Sequence, residues 1–173
     1  MKIFKDKLNP LLQKKTLTID PYNYSLEYCM CCKGTGICQL KIRVIRICNC
    51  VYRNIFNIAI NFLDNLNDKI LGYSTFNVDG FATICMSIPE YLLIYQADVD
   101  LAAKEVLTKN EYIVFKKFLL DGLPWNKVNK LVNLDRGNFF HSVYRIKIKV
   151  AKRLIEKGIF PYSTYLQPLR KIA

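Results

Sequence analysis

Apolar residues return at helical spacing along most of the chain. Ile55, Ile58, Ala59, Phe62, Leu63 and Leu66 recur every three or four positions, which predicts an amphipathic helix starting near Val51. Ile88, Leu92, Tyr95, Val99, Ala102 and Val106 predict a second one, opened by the capping box Ser87-Ile88-Pro89-Glu90 with proline in its first turn. Further on, Tyr112, Phe115, Phe118 and Leu119, then Val128 and Leu131, then Phe139, Val143, Ile146 and Val150 mark three successive helices. Between Gln39 and Ile47 the pattern differs. There Lys41, Arg43 and Arg46 interleave with Ile42, Val44, Ile45 and Ile47, as in a hairpin or strand pair.

Local chemistry sharpens the boundaries of the last three helices. Leu107-Thr108-Lys109-Asn110-Glu111 is a capping box, Asp121-Gly122 ends the helix it starts, and Pro124 opens a short one. Asn133-Leu134-Asp135 is a tight turn carrying its own cap residue, and Gly158 is a C-cap for the long helix that follows. Helix, break, short helix, turn and long basic helix is the order of the tri-helical helix-turn-helix, in which the second helix braces a third lying in the major groove. The stretch resembles the fourth region of bacterial sigma factors in its leading Leu-Thr-x-x-Glu, its brace and turn from Trp125 to Leu134, and the helix from Asp135 onward.

On the long helix, Phe139, Val143, Ile146 and Val150 form a core face. Arg136, Asn138, His141, Ser142 and Arg145 are expected to reach base edges, with Lys147, Lys149, Lys152 and Arg153 nearer the phosphates. Phe140, Tyr144 and Ile148 form a second apolar row, expected to bury against the rest of the chain or a partner. Charge agrees with an anionic partner, since residues 107–173 carry 14 basic and 4 acidic groups of a chain whose net charge is +12. Duplex DNA is the expected partner. RNA polymerase or another protein docked on the same helix, and RNA held by the cysteine segment and tyrosines, are the alternatives.

Six of the seven cysteines lie between positions 29 and 50. Met1 to Lys7 lacks the apolar run of a secretory signal and no run approaches a membrane span, so the expected location is the cytoplasm, without membrane association. Reduced thiols in that compartment favour metal over disulfides. Two thiolates separated by two residues can curl around one zinc ion, and glycines after them let amides turn toward the sulfurs. Cys29 and Cys32, in Cys-x-x-Cys-x-Gly-x-Gly, are thus expected to join Cys48 and Cys50 in a structural Zn2+ site, with Cys31 and Cys38 as substitute ligands. The first half resembles a repeat of the cysteine-rich region of J-domain chaperones.

These readings give a mainly α fold, with a small N-terminal zinc knuckle and β-hairpin plus a C-terminal tri-helical helix-turn-helix. The expected divisions are an arm over 1–28, the knuckle and following helix over 29–67, a hinge loop over 68–86, the connecting helix and helix-turn-helix over 87–158, and an aromatic tail over 159–173. Cys29 to Gly36, Cys48 to Phe56, Asp135 to Ile146 and Phe160 to Tyr165 together resemble a family of prophage-associated bacterial proteins. Zinc followed by helix-turn-helix is also similar to the layout of phage late-gene antiterminators. The antiterminator resemblance implies a regulator of transcription; the prophage-associated family does not by itself assign a function. No phosphate-cradling glycine loop, paired-carboxylate pocket or nucleophile constellation is evident around the single histidine, and an enzyme is not expected.

Overall fold

The computed structural model describes residues 19–41, 44–72 and 90–160. Two compact units emerge, 1–54 and 55–173. In the first, a 3-10 turn at Pro21–Tyr24 is capped by Asp20, whose carboxylate accepts from the Tyr22 amide. The cysteine loop follows, then strands β1 (Ile37–Lys41) and β2 (Val44–Ile47) pair antiparallel with Ile37 opposite Ile47 and Cys38 opposite Arg46. Helix α1 (Asn49–Gly72) starts in this unit, and Asn54 Nδ2 donates to the Tyr24 carbonyl. Among the described residues the buried set here comprises Ile19, Gly36, Val51 and the cysteines 32, 38, 48 and 50.

Helix α1 passes the expected end at Asn67 and runs to Gly72, because Leu63, Leu66 and Ile70 sustain the helical period through the Asn-rich stretch. The rest of the expected hinge, the Ser87 capping box, the arm before Ile19 and the tail after Phe160 lie outside the described residues.

The second unit contains the remainder of α1, then α2 (Glu90–Val106), α3 (Lys109–Val114), α4 (Trp125–Val132) and α5 (Arg136–Glu156). Thr108 caps α3 through the full reciprocal box, its hydroxyl accepting from the Glu111 amide while Glu111 accepts from its own amide. Beyond Val114 the helix widens into a π segment, Phe115–Leu120. A π turn separates residues three apart by more than an α turn does. Phe115 meets Phe56 at a ring distance of 6.3 Å, while Phe118 meets Phe139 at 5.2 Å.

Helix α4 buries Val128 and Val132, one turn apart, and leaves Leu131 exposed, which corrects the expected pairing of Val128 with Leu131. Asn133 adopts the left-handed conformation (φ 51°, ψ 56°) and its side-chain neighbour Asn129 accepts from the Leu134 amide, fixing the turn into α5. Asp135 caps α5 by accepting from the Asn138 amide at 3.0 Å. At the other end Gly158 (φ 69°) closes a Schellman motif, with its amide donating to Ile155 and the Ile159 amide to Leu154.

Phe139, Val143, Ile146, Val150, Ala151 and Leu154 give α5 its core face, and α2 packs on it, with Ala102 and Ala103 among its fully buried residues. Tyr95 is also buried on α2, and its hydroxyl donates to the Ala59 carbonyl of α1. The three C-terminal helices resemble a tri-helical helix-turn-helix in order and turn chemistry. Among the described residues no helix is long and apolar enough to cross a membrane.

Candidate metal centre and nucleic-acid interface

The cysteine loop is built by two close backbone approaches. Gly36 sits at φ 73°, and a Cβ there would lie 2.4 Å from the Pro21 carbonyl oxygen, so only glycine fits. The Gly36 carbonyl in turn accepts from the Cys48 amide at 2.8 Å, which brings the start of α1 to the loop. The Lys33 amide donates to the Cys29 carbonyl and the Thr35 amide and hydroxyl to the Cys32 carbonyl, curling residues 29–35 around their sulfurs.

The result is convergence of Cys29, Cys32, Cys48 and Cys50, whose sulfurs all lie within 4.8 Å of one another. Cys29 and Cys48 are 3.6 Å apart and Cys32 and Cys50 are 3.5 Å apart. Four sulfurs around a tetrahedral zinc ion at its usual bond length stand roughly 3.8 Å apart, so the donor set fits that ion. Electrostatics divide the four thiols. Amides of Cys32 and Cys31 bring the Cys29 thiol down to about 6, whereas burial pushes Cys48 up and Cys50 up to about 12. Converging buried thiols of this kind become thiolates together only when a cation offsets their charge.

Cys31 and Cys38 form a disulfide, contrary to the expectation of reduced thiols throughout, and so are not substitute ligands in this state. Antiparallel pairing of β1 with β2 places Cys38 beside the loop, and the Cys48 sulfur lies within 4.8 Å of both disulfide sulfurs.

On α5 the expected DNA contacts divide into three groups. Asn138, His141 and Arg145 are exposed along one stripe of the first three turns, joined by Tyr144, which is 50 % exposed. Asn138 Nδ2 donates to the Asp135 carboxylate, so its side chain is oriented by the cap. Arg136 is exposed and stacks 5.7 Å from the Trp125 ring. Ser142 instead is buried, 4 % exposed, because its position falls beside Phe139, Val143 and Ile146 on the packed face; it lies away from a groove-facing surface.

The third group is engaged within the protein. Lys147 donates to Asn57 at 2.9 Å and lies 5.5 Å from the Phe56 ring. Lys149 donates to Glu111, and Arg153 donates to Glu105 and Glu156 at 2.7 to 3.2 Å. Lys157 also pairs with Glu105. Burial by itself would raise the Glu111 carboxyl, but Lys149 and the Thr108 amide outweigh it and hold the group below its ordinary value. Lys152 is exposed. The second apolar row also divides, with Phe140 half-buried among Phe118, Trp125 and Phe139 while Tyr144 stands out.

Two cations missed in the sequence are Lys127 and Lys130 on α4. Both are exposed, on the side away from Val128 and Val132, and form no ion pair among the described residues. Their three-residue spacing opposite the valines is the sequence signal that marks them. No protein-family model, curated protein or solved structure matches the chain.

Proposed function

We propose that the protein binds duplex DNA sequence-specifically through α5 and acts in transcription control, in the setting of phage or mobile-element genes to which its motif order is similar. The observation that carries this reading is the partition of charge along α5. Lys149 and Arg153 of its C-terminal half pair with Glu105, Glu111 and Glu156, whereas Arg145, with Asn138 and His141, is exposed and forms no ion pair among the described residues. A helix of this kind reads base edges from its first turns, where Arg matches guanine and Asn matches adenine. Lys127 and Lys130 on the brace helix supply phosphate contacts, which fix register without carrying sequence information.

The four-cysteine centre, on this reading, holds one structural zinc ion. All four donors come from the chain, leaving no open position of the kind a catalytic zinc needs. The test is selection of purified full-length protein on a random duplex library, followed by titration of enriched and scrambled sites at two salt concentrations. A recovered motif whose preference disappears in Arg145→Ala supports the reading. Binding without a motif would reduce it to nonspecific nucleic-acid affinity, and no binding would overturn it in favour of a protein docked on the same stripe.

A further inference from the structure

Cys48 belongs to two sulfur clusters at once. Its sulfur lies within 4.8 Å of those of Cys29, Cys32 and Cys50, and also within 4.8 Å of those of Cys31 and Cys38. We propose that the knuckle is a two-metal thiolate centre, in which Cys31, Cys38 and the shared Cys48 hold a second thiophilic divalent cation, of the zinc or cadmium class, once the Cys31–Cys38 disulfide is reduced. This rests on the four-cysteine reading of the first site.

Three features support it. A thiolate sulfur has lone pairs enough to bridge two cations, and Cys48 is the one residue common to both clusters. Cys38 and Cys48 are buried, so their donors are held in place by the hairpin and the start of α1, whereas Cys31 is exposed. Exposure at Cys31 leaves room for a water as fourth ligand and admits a small reductant to the disulfide. The first site uses neither the Cys31 nor the Cys38 sulfur, so it does not account for the convergence of those sulfurs on Cys48.

The chemistry balances through a dithiol donor. Two electrons and two protons pass from the donor, which becomes its own disulfide, to Cys31 and Cys38, which become thiols. The cation then displaces their two protons. A low-molecular-weight disulfide runs the sequence backwards, since disulfide sulfurs carry no charge to hold the ion, and the second cation leaves.

The experiment uses the full-length chain, treated anaerobically with a dithiol or with a low-molecular-weight disulfide, loaded with excess Zn2+ or, in parallel, Cd2+, and desalted. Native mass spectrometry counts metal per chain, and alkylation after denaturation counts thiols. One ion per oxidised chain and two per reduced chain are expected, with two fewer alkylated cysteines in the oxidised form. The Cys31→Ser/Cys38→Ser variant should hold one ion in both conditions, with circular dichroism showing the helical content of the parent. One ion in the reduced parent, two in the double variant, or alkylation of all seven cysteines after oxidation would overturn the proposal while leaving the first site standing. No ion in either condition would overturn both.

Discussion

Lys149 on α5 donates to both carboxylate oxygens of Glu111, each at 2.8 Å, and Glu111 at the same time accepts from the Thr108 amide that opens α3. One carboxylate thus closes a capping box and ties the first helix of the tri-helical module to the third. Glu111→Gln keeps a capping acceptor but loses the ion pair, and is expected to cost about 0.5–1 kcal/mol; Glu111→Ala loses both and should cost about 1–2 kcal/mol. Because the folded-state carboxyl lies below its unfolded value, this stabilisation is present above about pH 4.5 and is lost as pH falls through the folded-state value. Urea unfolding of the parent and Glu111→Gln between pH 3 and 7 checks this. The difference between them should shrink toward the acid end.

On the proposed function, the same pairing decides which cations are expected to matter for DNA. Lys149 and Arg153 already meet carboxylates, so Lys149→Ala and Arg153→Ala should leave the salt slope of DNA binding unchanged where both variants are folded. Lys127→Ala and Lys130→Ala should each flatten the slope by about one, the effect of one phosphate contact. Arg145→Ala should weaken the enriched site by about 1–3 kcal/mol and scrambled DNA far less. Fluorescence anisotropy at several salt concentrations separates these outcomes, and an equal loss on both DNAs would make Arg145 a phosphate contact.

Gly36 and Gly34 differ in what surrounds them. A Cβ at Gly36 would meet the Pro21 backbone at 2.4 Å, whereas at Gly34 its nearest neighbour would be Glu27 Cα at 3.5 Å, an ordinary contact. Both glycines have positive φ, so each alanine substitution carries the left-handed backbone cost of about 1–2 kcal/mol. Gly36→Ala must also displace backbone and should cost clearly more, with weaker metal retention. Competition with a chromophoric chelator ranks the two variants.

Metal removal should unfold the first unit before the second. Among the described residues its buried set includes Ile19, Val51 and four cysteines, three of them proposed ligands, so a bound metal is expected to carry much of the stability of the loop and hairpin. A chelator is therefore expected to abolish hairpin protection in hydrogen exchange while the α5 core stays protected. Cys48 and Cys50, raised by burial, are protonated at neutral pH and must give up protons to a cation. Apparent zinc affinity should accordingly rise by at least about a hundredfold per pH unit around neutrality, a decade for each of these two protons and more for any other ligand that binds with loss of a proton. Calorimetry in buffers of different ionisation enthalpy measures the protons released.

Much of this protein is decided by interactions a few residues long, which a sequence displays directly. The Thr108–Glu111 box, the Asn133-Leu134-Asp135 turn and the Gly158 C-cap are hydrogen-bonding arrangements within one or two turns, and all three stand where the residue types place them. The Cys-x-x-Cys-x-Gly-x-Gly spacing likewise announces a curled loop, and the alternating stretch a hairpin. Tertiary structure alone decided which side chains are available to a ligand. Glu105 and Glu111 lie some forty residues from Arg153 and Lys149 in sequence and reach them only because α2 and α3 pack beside α5. Ser142 sits at the edge of a polar stripe on a helical wheel, yet the packing of α5 takes it into the core. The Cys31–Cys38 bond depends in the same way on strand pairing that carries Cys38 back to the loop. Helix caps need only neighbours, whereas charge neutralisation, burial and sulfur pairing depend on which distant elements meet.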